Sequence, residues 1–93
     1  MKPLKAVRKA IEIAGGVGRG FKARAAKRLD ISPAHLSLIY TGRNDPPMHI
    51  AKQLAFITDE AARTLGDSSL FVSVHEMLPK DFELAERGIL YPR

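Results

Sequence analysis

The stretch Phe21–Arg43, FKARAAKRLDISPAHLSLIYTGR, decides the fold of this 93-residue chain. Apolar residues recur at helical spacing over 21–29, which predicts one short helix. A second helix begins at Ser32, because a serine hydroxyl can accept an amide hydrogen bond in the first turn and Pro33 loses no donor that the helix needs. This second helix is expected to end at Thr41-Gly42. The stretch therefore predicts two short helices joined by a turn of three or four residues.

The spacing of small and apolar residues in this stretch resembles the helix-turn-helix motif of DNA-binding repressors. Ala26 stands where two crossing helices need a small side chain. Leu29 and Ile31 flank the turn, and Leu36 and Ile39 take the two inward positions of the second helix. The resemblance implies that the second helix lies in the major groove of double-stranded DNA.

Two features depart from the usual motif. Asp30 occupies the turn position that glycine holds in most such motifs, and aspartate tolerates a left-handed backbone better than most residues do. The loop 15–20 has four glycines in six residues and is longer than expected for compact phage proteins. It is not a phosphate cradle, because it follows a helix and lacks Gly-Lys-Ser/Thr. Its expected role is a flexible connector, with Arg19 placed to clamp the DNA backbone.

A helix is predicted before this loop and another after the motif. Pro3 suits a first helical turn, and the apolar positions over 4–14 follow at helical spacing up to the stop at Gly15-Gly16. After the motif, Asp45 is the expected N-cap of a helix with Pro46 just inside it. A new cap at Thr58 or Asp59 is expected to begin a further turn or two through Leu65, closed by Gly66.

The remaining residues predict short elements. Residues 70–72 are expected to be extended, and Ser73 with Glu76 has the spacing of a capping box, which predicts a helical turn over 74–78. One more turn is expected over 81–87. The predicted fold is an all-α compact bundle of five or six short helices, with a DNA-binding domain over 1–66 and a C-terminal extension over 67–93. That extension is expected to join the same core, a dimer interface, or both.

The wider layout resembles the small Cro-like and YdaS-like regulators of bacteriophages and prophages. The segments that carry the likeness are the helices over 4–14 and 32–42 and the terminal stretch 74–82, and the likeness is strongest over the first 42 residues. It implies a lambda-repressor-like fold and a transcriptional repressor, or repressor antagonist, that binds operator DNA, commonly as a dimer.

The charge is divided unevenly along the chain. Residues 1–43 hold ten Lys and Arg against two acids, a balance of +8, whereas 44–93 hold five against eight, a balance of −3. A basic half of this kind is typical of polyanion binding, although a solvated basic face would give the same count.

The predicted DNA contacts follow from the two inward positions of the second helix. The opposite side of that helix carries small and apolar residues suited to base edges, and the first helix carries cations suited to phosphates. The predicted DNA-binding residues are Lys22, Arg24, Lys27, Arg28, Ser32, Pro33, Ala34, His35, Ser37, Leu38, Thr41 and Arg43. Tyr40 is expected either to donate to a phosphate or to lie at the edge of the core.

Several other functions are disfavoured. With no cysteine there are no disulfides, thiolate zinc sites or cysteine nucleophiles, and the three histidines are too far apart for a recognisable metal site. The sequence shows no activated nucleophile and no pair of buried carboxylates for acid–base catalysis, so neither an enzyme nor a cofactor is expected. No apolar run is long enough for a membrane span, and the N-terminus lacks a secretion signal, which favours the cytoplasm of a bacterial or phage-infected host cell.

The acidic second half leaves two interpretations open. A single motif reads few base pairs, so a homodimer on an inverted repeat is expected, and the apolar surplus over 70–91 is the candidate interface. Alternatively, residues 44–93 bind a basic partner protein, as an antitoxin-like module would, and DNA binding serves autoregulation.

Overall fold

The computed structural model describes residues 3–16 and 18–78, which form an all-α structure as predicted. The elements are α1 (Pro3–Gly15), α2 (Phe21–Leu29), α3 (Pro33–Tyr40), α4 (Met48–Leu65), a 3₁₀ turn (Ser68–Leu70) and α5 (Val74–Met77). No strand occurs in the described part of the chain. No helix there is long and apolar enough to cross a membrane. The turn expected over 81–87 lies outside the described residues.

α1 lies at the centre of the bundle and contacts α2, α3, α4 and α5. Its buried stripe includes Val7 and Ile11, as the spacing predicts. The helix ends where it meets the start of α2. A Cβ on Gly15 would lie 2.0 Å from the carbonyl oxygen of Phe21, so only glycine allows the two backbones to approach this closely.

One core unites the five helices of the described residues. Leu36 of α3 and Leu54 of α4 are fully buried in the same cluster as Ile11. Val72 and Met77 belong to this cluster too. The segment 67–78 therefore helps to build the core that supports α3.

The predicted start of α4 is wrong. Asp45 is exposed and does not cap the helix; α4 begins at Met48, and Pro47 is its N-cap with ψ 157°. The reason is local: a residue that precedes proline is disfavoured in the helical conformation, and Pro46 precedes Pro47. The helix cannot begin until the second proline has been passed.

The predicted break near Thr58 or Asp59 is also wrong, because α4 continues for 18 residues to Leu65. Thr58 is fully buried, donates to the carbonyl of Ala55 at 3.0 Å and accepts from the N–H of Val72 at 3.0 Å. Its hydroxyl anchors the returning chain to the side of α4. The helix ends at Gly66 as predicted, in a left-handed conformation with φ 67°.

The last described segment matches its prediction in part. Residues 70–72 are not extended throughout, because Leu70 completes the 3₁₀ turn and the extended backbone begins at Phe71. The capping box is confirmed: Ser73 accepts from the N–H of Glu76, whose carboxylate accepts from the N–H of Ser73 at 2.9 Å. α5 is thereby stabilised although it is only four residues long.

Candidate nucleic-acid interface

The connection between α2 and α3 is short and hydrogen-bonded. Asp30 adopts the left-handed conformation with φ 59°, and the N–H of Ile31 donates to the carbonyl of Ala26 at 3.0 Å. Ser32 then caps α3 by accepting from the N–H of His35 at 3.0 Å. Asp30 therefore adopts the conformation expected at this turn position without being glycine.

α3 is fixed to the core along one side. Leu36 is fully buried and Ile39 is 1% exposed, as predicted from their spacing. Ala26 of α2 is 1% exposed, consistent with a close approach of neighbouring elements. α3 is thus held by two large apolar side chains, with Tyr40 half-buried at the edge of the core.

The outer side of α3 carries small and apolar side chains. Leu38 is 37% exposed, and Pro33, Ala34 and Thr41 are exposed, whereas Ser37 is half-buried. α3 itself contains no acidic residue. This surface, the α3 face, is open to a ligand, and no carboxylate on its own helix would repel a polyanion.

The C-terminal end of α3 is ordered by its own backbone and by Thr41. The Thr41 hydroxyl donates to the carbonyl of Ser37 at 2.9 Å, so towards a ligand it offers lone pairs instead of a proton. The N–H groups of Arg43 and Asn44 both donate to the carbonyl of Leu38, at 3.0 and 3.1 Å. This turn leaves Arg43 exposed directly beside the α3 face.

Gly42 joins this turn to α1. Its φ is 86°, and a Cβ there would lie 3.0 Å from a δ carbon of Leu4. α1 therefore lies directly beneath the end of α3, which brings the polar side of α1 close to the α3 face.

The four cations of α2 divide into two pairs. Arg24 donates to the carbonyls of Gly15, Gly16 and Arg19, the last two at 2.9 Å. Arg28 donates to the carbonyl of Ala14 at 3.2 Å. Both therefore cap the C-terminal end of α1, and Arg24 also holds the glycine loop, a role that the sequence did not reveal.

Lys22 and Lys27 form the other pair and stay exposed. The Nζ of Lys22 lies 4.6 Å from the centre of the Tyr40 ring, a cation–π contact. Lys27 makes no ion pair or side-chain hydrogen bond with the described residues. These two and Arg43 are the predicted DNA-binding cations whose charged groups make no hydrogen bond or ion pair with the described residues.

Arg8 is a cation beside α3 that sequence reasoning missed. Its Nε donates to the carbonyl of Tyr40 at 2.8 Å, and its guanidinium lies 5.2 Å from the centre of the Tyr40 ring. Helical periodicity places Arg8 on the polar side of α1 but does not say which element that side meets. With Lys22 it forms a basic rim on the α1 side of α3.

Tyr40 lies at the edge of the core, one of its two expected positions. Its ring meets Phe21 edge to face at 5.6 Å, and its hydroxyl donates to Oε2 of Glu12 at 2.8 Å. This hydrogen bond, followed by burial and the charge of Glu12, raises the pKa of the Tyr40 hydroxyl, while Arg8 opposes the shift. The hydroxyl is therefore occupied within the protein.

Within 3–16 and 18–78, no group of three or more histidine, aspartate or glutamate residues is arranged to hold a metal ion. Comparison with protein-family models, curated proteins and solved structures finds no match to this chain.

Proposed function

We propose that the chain is a sequence-specific double-stranded DNA-binding transcriptional regulator, a phage or prophage repressor of the Cro-like and YdaS-like kind, acting in the cytoplasm. One observation carries the proposal: the exposed face of α3 has no acidic residue on its own helix, and Arg8, Lys22 and the exposed Arg43 lie at the C-terminal end of that helix. A helix of this width fits the major groove, and flanking cations reach the phosphates.

The side chains of α3 would contact the bases, and the cations beside it would contact the phosphates. Ala34 and Leu38 offer apolar contacts to thymine methyl groups, and the hydroxyls of Ser37 and Thr41 hydrogen-bond base edges. The first turn of α3 would lie against the duplex. It contains Ser32, Pro33 and His35. These contacts supply sequence preference.

The cations supply affinity for DNA of any base sequence. Lys22, Lys27 and Arg43 contact phosphates, and Arg8 adds to them from α1. Arg24 and Arg28 act indirectly, because Arg24 holds the loop that precedes α2 and Arg28 caps the end of α1. Binding is therefore expected to fall steeply as the salt concentration rises.

Selection of bound duplexes from a random pool tests the proposal. We expect the winners to share an inverted repeat whose half-sites are roughly 34 Å apart, one turn of DNA. Winners without a common sequence, or no binding at low salt, would contradict the proposal.

Two sets of variants test the assignment of residues. Replacing Ser37 and Leu38 by alanine should relax base preference by about 1–3 kcal/mol at the contacted positions. Lys27→Ala should weaken binding to all duplexes alike and lower the salt slope by about one. The assignment fails if Lys27→Ala changes the preferred sequence and the α3 variant does not.

A second candidate function is the antitoxin-like module, which the exposed Leu65 (71%) and Phe71 (42%) favour. Truncation after Gly66 cannot test it, because Val72 and Met77 are part of the core. Co-purification of a stoichiometric partner with the intact chain, lost in the double variant Leu65→Ser and Phe71→Ser, would support this function.

A further inference from the structure

The outer side of α4 carries one large apolar side chain among charges. Phe56 is 63% exposed, whereas Leu54 and Thr58, two residues away on either side, are fully buried. Phe56 therefore points away from the core.

A groove lies beside Phe56, between α4 and the end of α2. It is lined by Arg28, Lys52, Gln53, Phe56, Ile57 and Glu60, with mostly apolar surface. Four of these residues are spaced i, i+3, i+4 and i+7 along α4, the arrangement that forms a hole for one side chain of a facing helix. The groove thus has the shape that accepts a ring from a second helix.

The charges on either side of Phe56 would attract each other if two copies of α4 met. Lys52 lies four residues before Phe56 and Glu60 four residues after it, and both are exposed. If a second α4 runs antiparallel with its Phe56 opposite the first, each Lys52 meets the Glu60 of the other copy. A parallel pair would instead oppose like charges.

The groups around the ring differ in how closely they are paired within the chain. Arg63 forms an ion pair with Asp59 at 3.1 Å. The contact of Arg28 with Glu60 is long, at 3.9 Å, and leaves the Glu60 side chain 57% exposed. Glu60 therefore remains able to meet a second lysine.

We propose that a second copy of this chain covers the outer side of α4, forming an antiparallel α4–α4 pair about a two-fold axis at Phe56. Each Phe56 enters the groove of the other copy, and two Lys52–Glu60 pairs flank the rings. The pairing stands on the surface of α4 alone; only its use on an inverted-repeat operator rests on the proposed function. The interface lies on α4, outside the 70–91 segment that the sequence favoured.

Sedimentation over a range of protein concentrations, without DNA, tests the pair. The wild type should associate reversibly to a dimer, and Phe56→Ala should weaken association by at least about tenfold, as expected for a central aromatic anchor. Leu65→Ala is the matched control, because Leu65 is exposed on the same helix but nine residues away, on the opposite side. It should leave association unchanged.

Charge exchange tests the antiparallel geometry. Lys52→Glu alone places two acids opposite each other, and Glu60→Lys alone places two lysines opposite each other, so each variant should dimerise more weakly than the wild type. Mixed together, the two variants should form a heterodimer, because every opposed pair is then of opposite sign.

Three results would overturn the pairing: a wild type that stays monomeric, an unchanged dimer in Phe56→Ala, or a mixture that fails to associate. Circular dichroism establishes that each variant is folded. Binding of monomeric Phe56→Ala to a single half-site is measured separately. A wild type that stays monomeric but binds a half-site counts against the α4 pairing alone, whereas a wild-type dimer that binds no DNA counts against the proposed function alone.

Discussion

The α3 face and the outer side of α4 each expose one large apolar residue, yet their surroundings differ. Leu38 is 37% exposed among small, uncharged side chains on a helix without acids. Phe56 is 63% exposed among charges of both signs. Cations lie beside α3 on neighbouring elements, whereas lysine and glutamate share the surface of α4.

The difference shows that an exposed apolar residue does not define its ligand by itself. A neutral helix with a basic rim suits a polyanion, whose charge the rim can neutralise. A surface whose positive and negative groups are spaced evenly about one ring suits its own copy. Four sets of variants separate these two surfaces from the core that supports both.

The largest effect is expected from two leucines of one helix. Leu36→Ala should lower the free energy of unfolding by about 3 kcal/mol, because it leaves a cavity in the core. Leu38→Ala should change stability by less than about 1 kcal/mol and alter base preference instead. Urea unfolding measures the first effect and duplex selection the second. Equal destabilisation by both variants would mean that Leu38 belongs to the core.

Arg24→Gln and Lys27→Gln separate structural from ligand-binding cations. Arg24→Gln should lower the free energy of unfolding by roughly 1–2 kcal/mol, because carbonyls at the end of α1 lose charged donors. Lys27→Gln should leave stability within about 0.5 kcal/mol and weaken DNA binding. Thermal melts and titrations with a duplex distinguish the two. Neither variant should change self-association through α4.

Tyr40→Phe should cost about 1 kcal/mol, because the hydrogen bond to Glu12 is lost. The folded pKa of the Tyr40 hydroxyl is raised above its ordinary value. The contribution of this hydroxyl is therefore complete below about pH 10 and is lost as pH rises through the folded pKa. Unfolding measured at increasing pH should show the difference between wild type and variant shrinking. DNA affinity should change little, since phenylalanine keeps a ring beneath Arg8 and Lys22.

The smallest effect is expected at the turn between α2 and α3. Asp30→Gly should raise the free energy of unfolding by about 0.5 kcal/mol, because glycine adopts φ 59° without strain while losing more entropy on folding. Asp30→Ala is the control and should destabilise. Both surfaces should keep their ligands, and a gain from alanine would contradict the assigned backbone strain.

Much of the α2–α3 region was predictable from local rules. The start of α3 depends on Ser32 and Pro33, and its inward side depends on the spacing of Leu36 and Ile39. These are properties of a few consecutive residues, and the structure confirms them. The predicted start of α4 at Asp45 is wrong, because Pro47 keeps Pro46 out of the helical conformation.

The roles of the cations were not predictable in the same way. Arg24 and Lys27 are three residues apart on one helix, and the apolar spacing of that helix places both on its polar side. Only the fold shows that Arg24 lies over the carbonyls that end α1 while Lys27 does not. The same holds for Arg8, whose neighbour on α3 is 32 residues away.

The sequence alone predicted the helical class, the extents of α1 and α2, the start of α3, the capping box of α5 and the inward side of α3. Each depends on hydrogen bonds and apolar spacing within a few turns of chain. Only the tertiary structure decided that Thr58 anchors Val72, that Arg24 and Arg28 cap α1, and that Phe56 is left uncovered. These features depend on contacts between segments that are far apart in the sequence, and such contacts form only when the whole core folds.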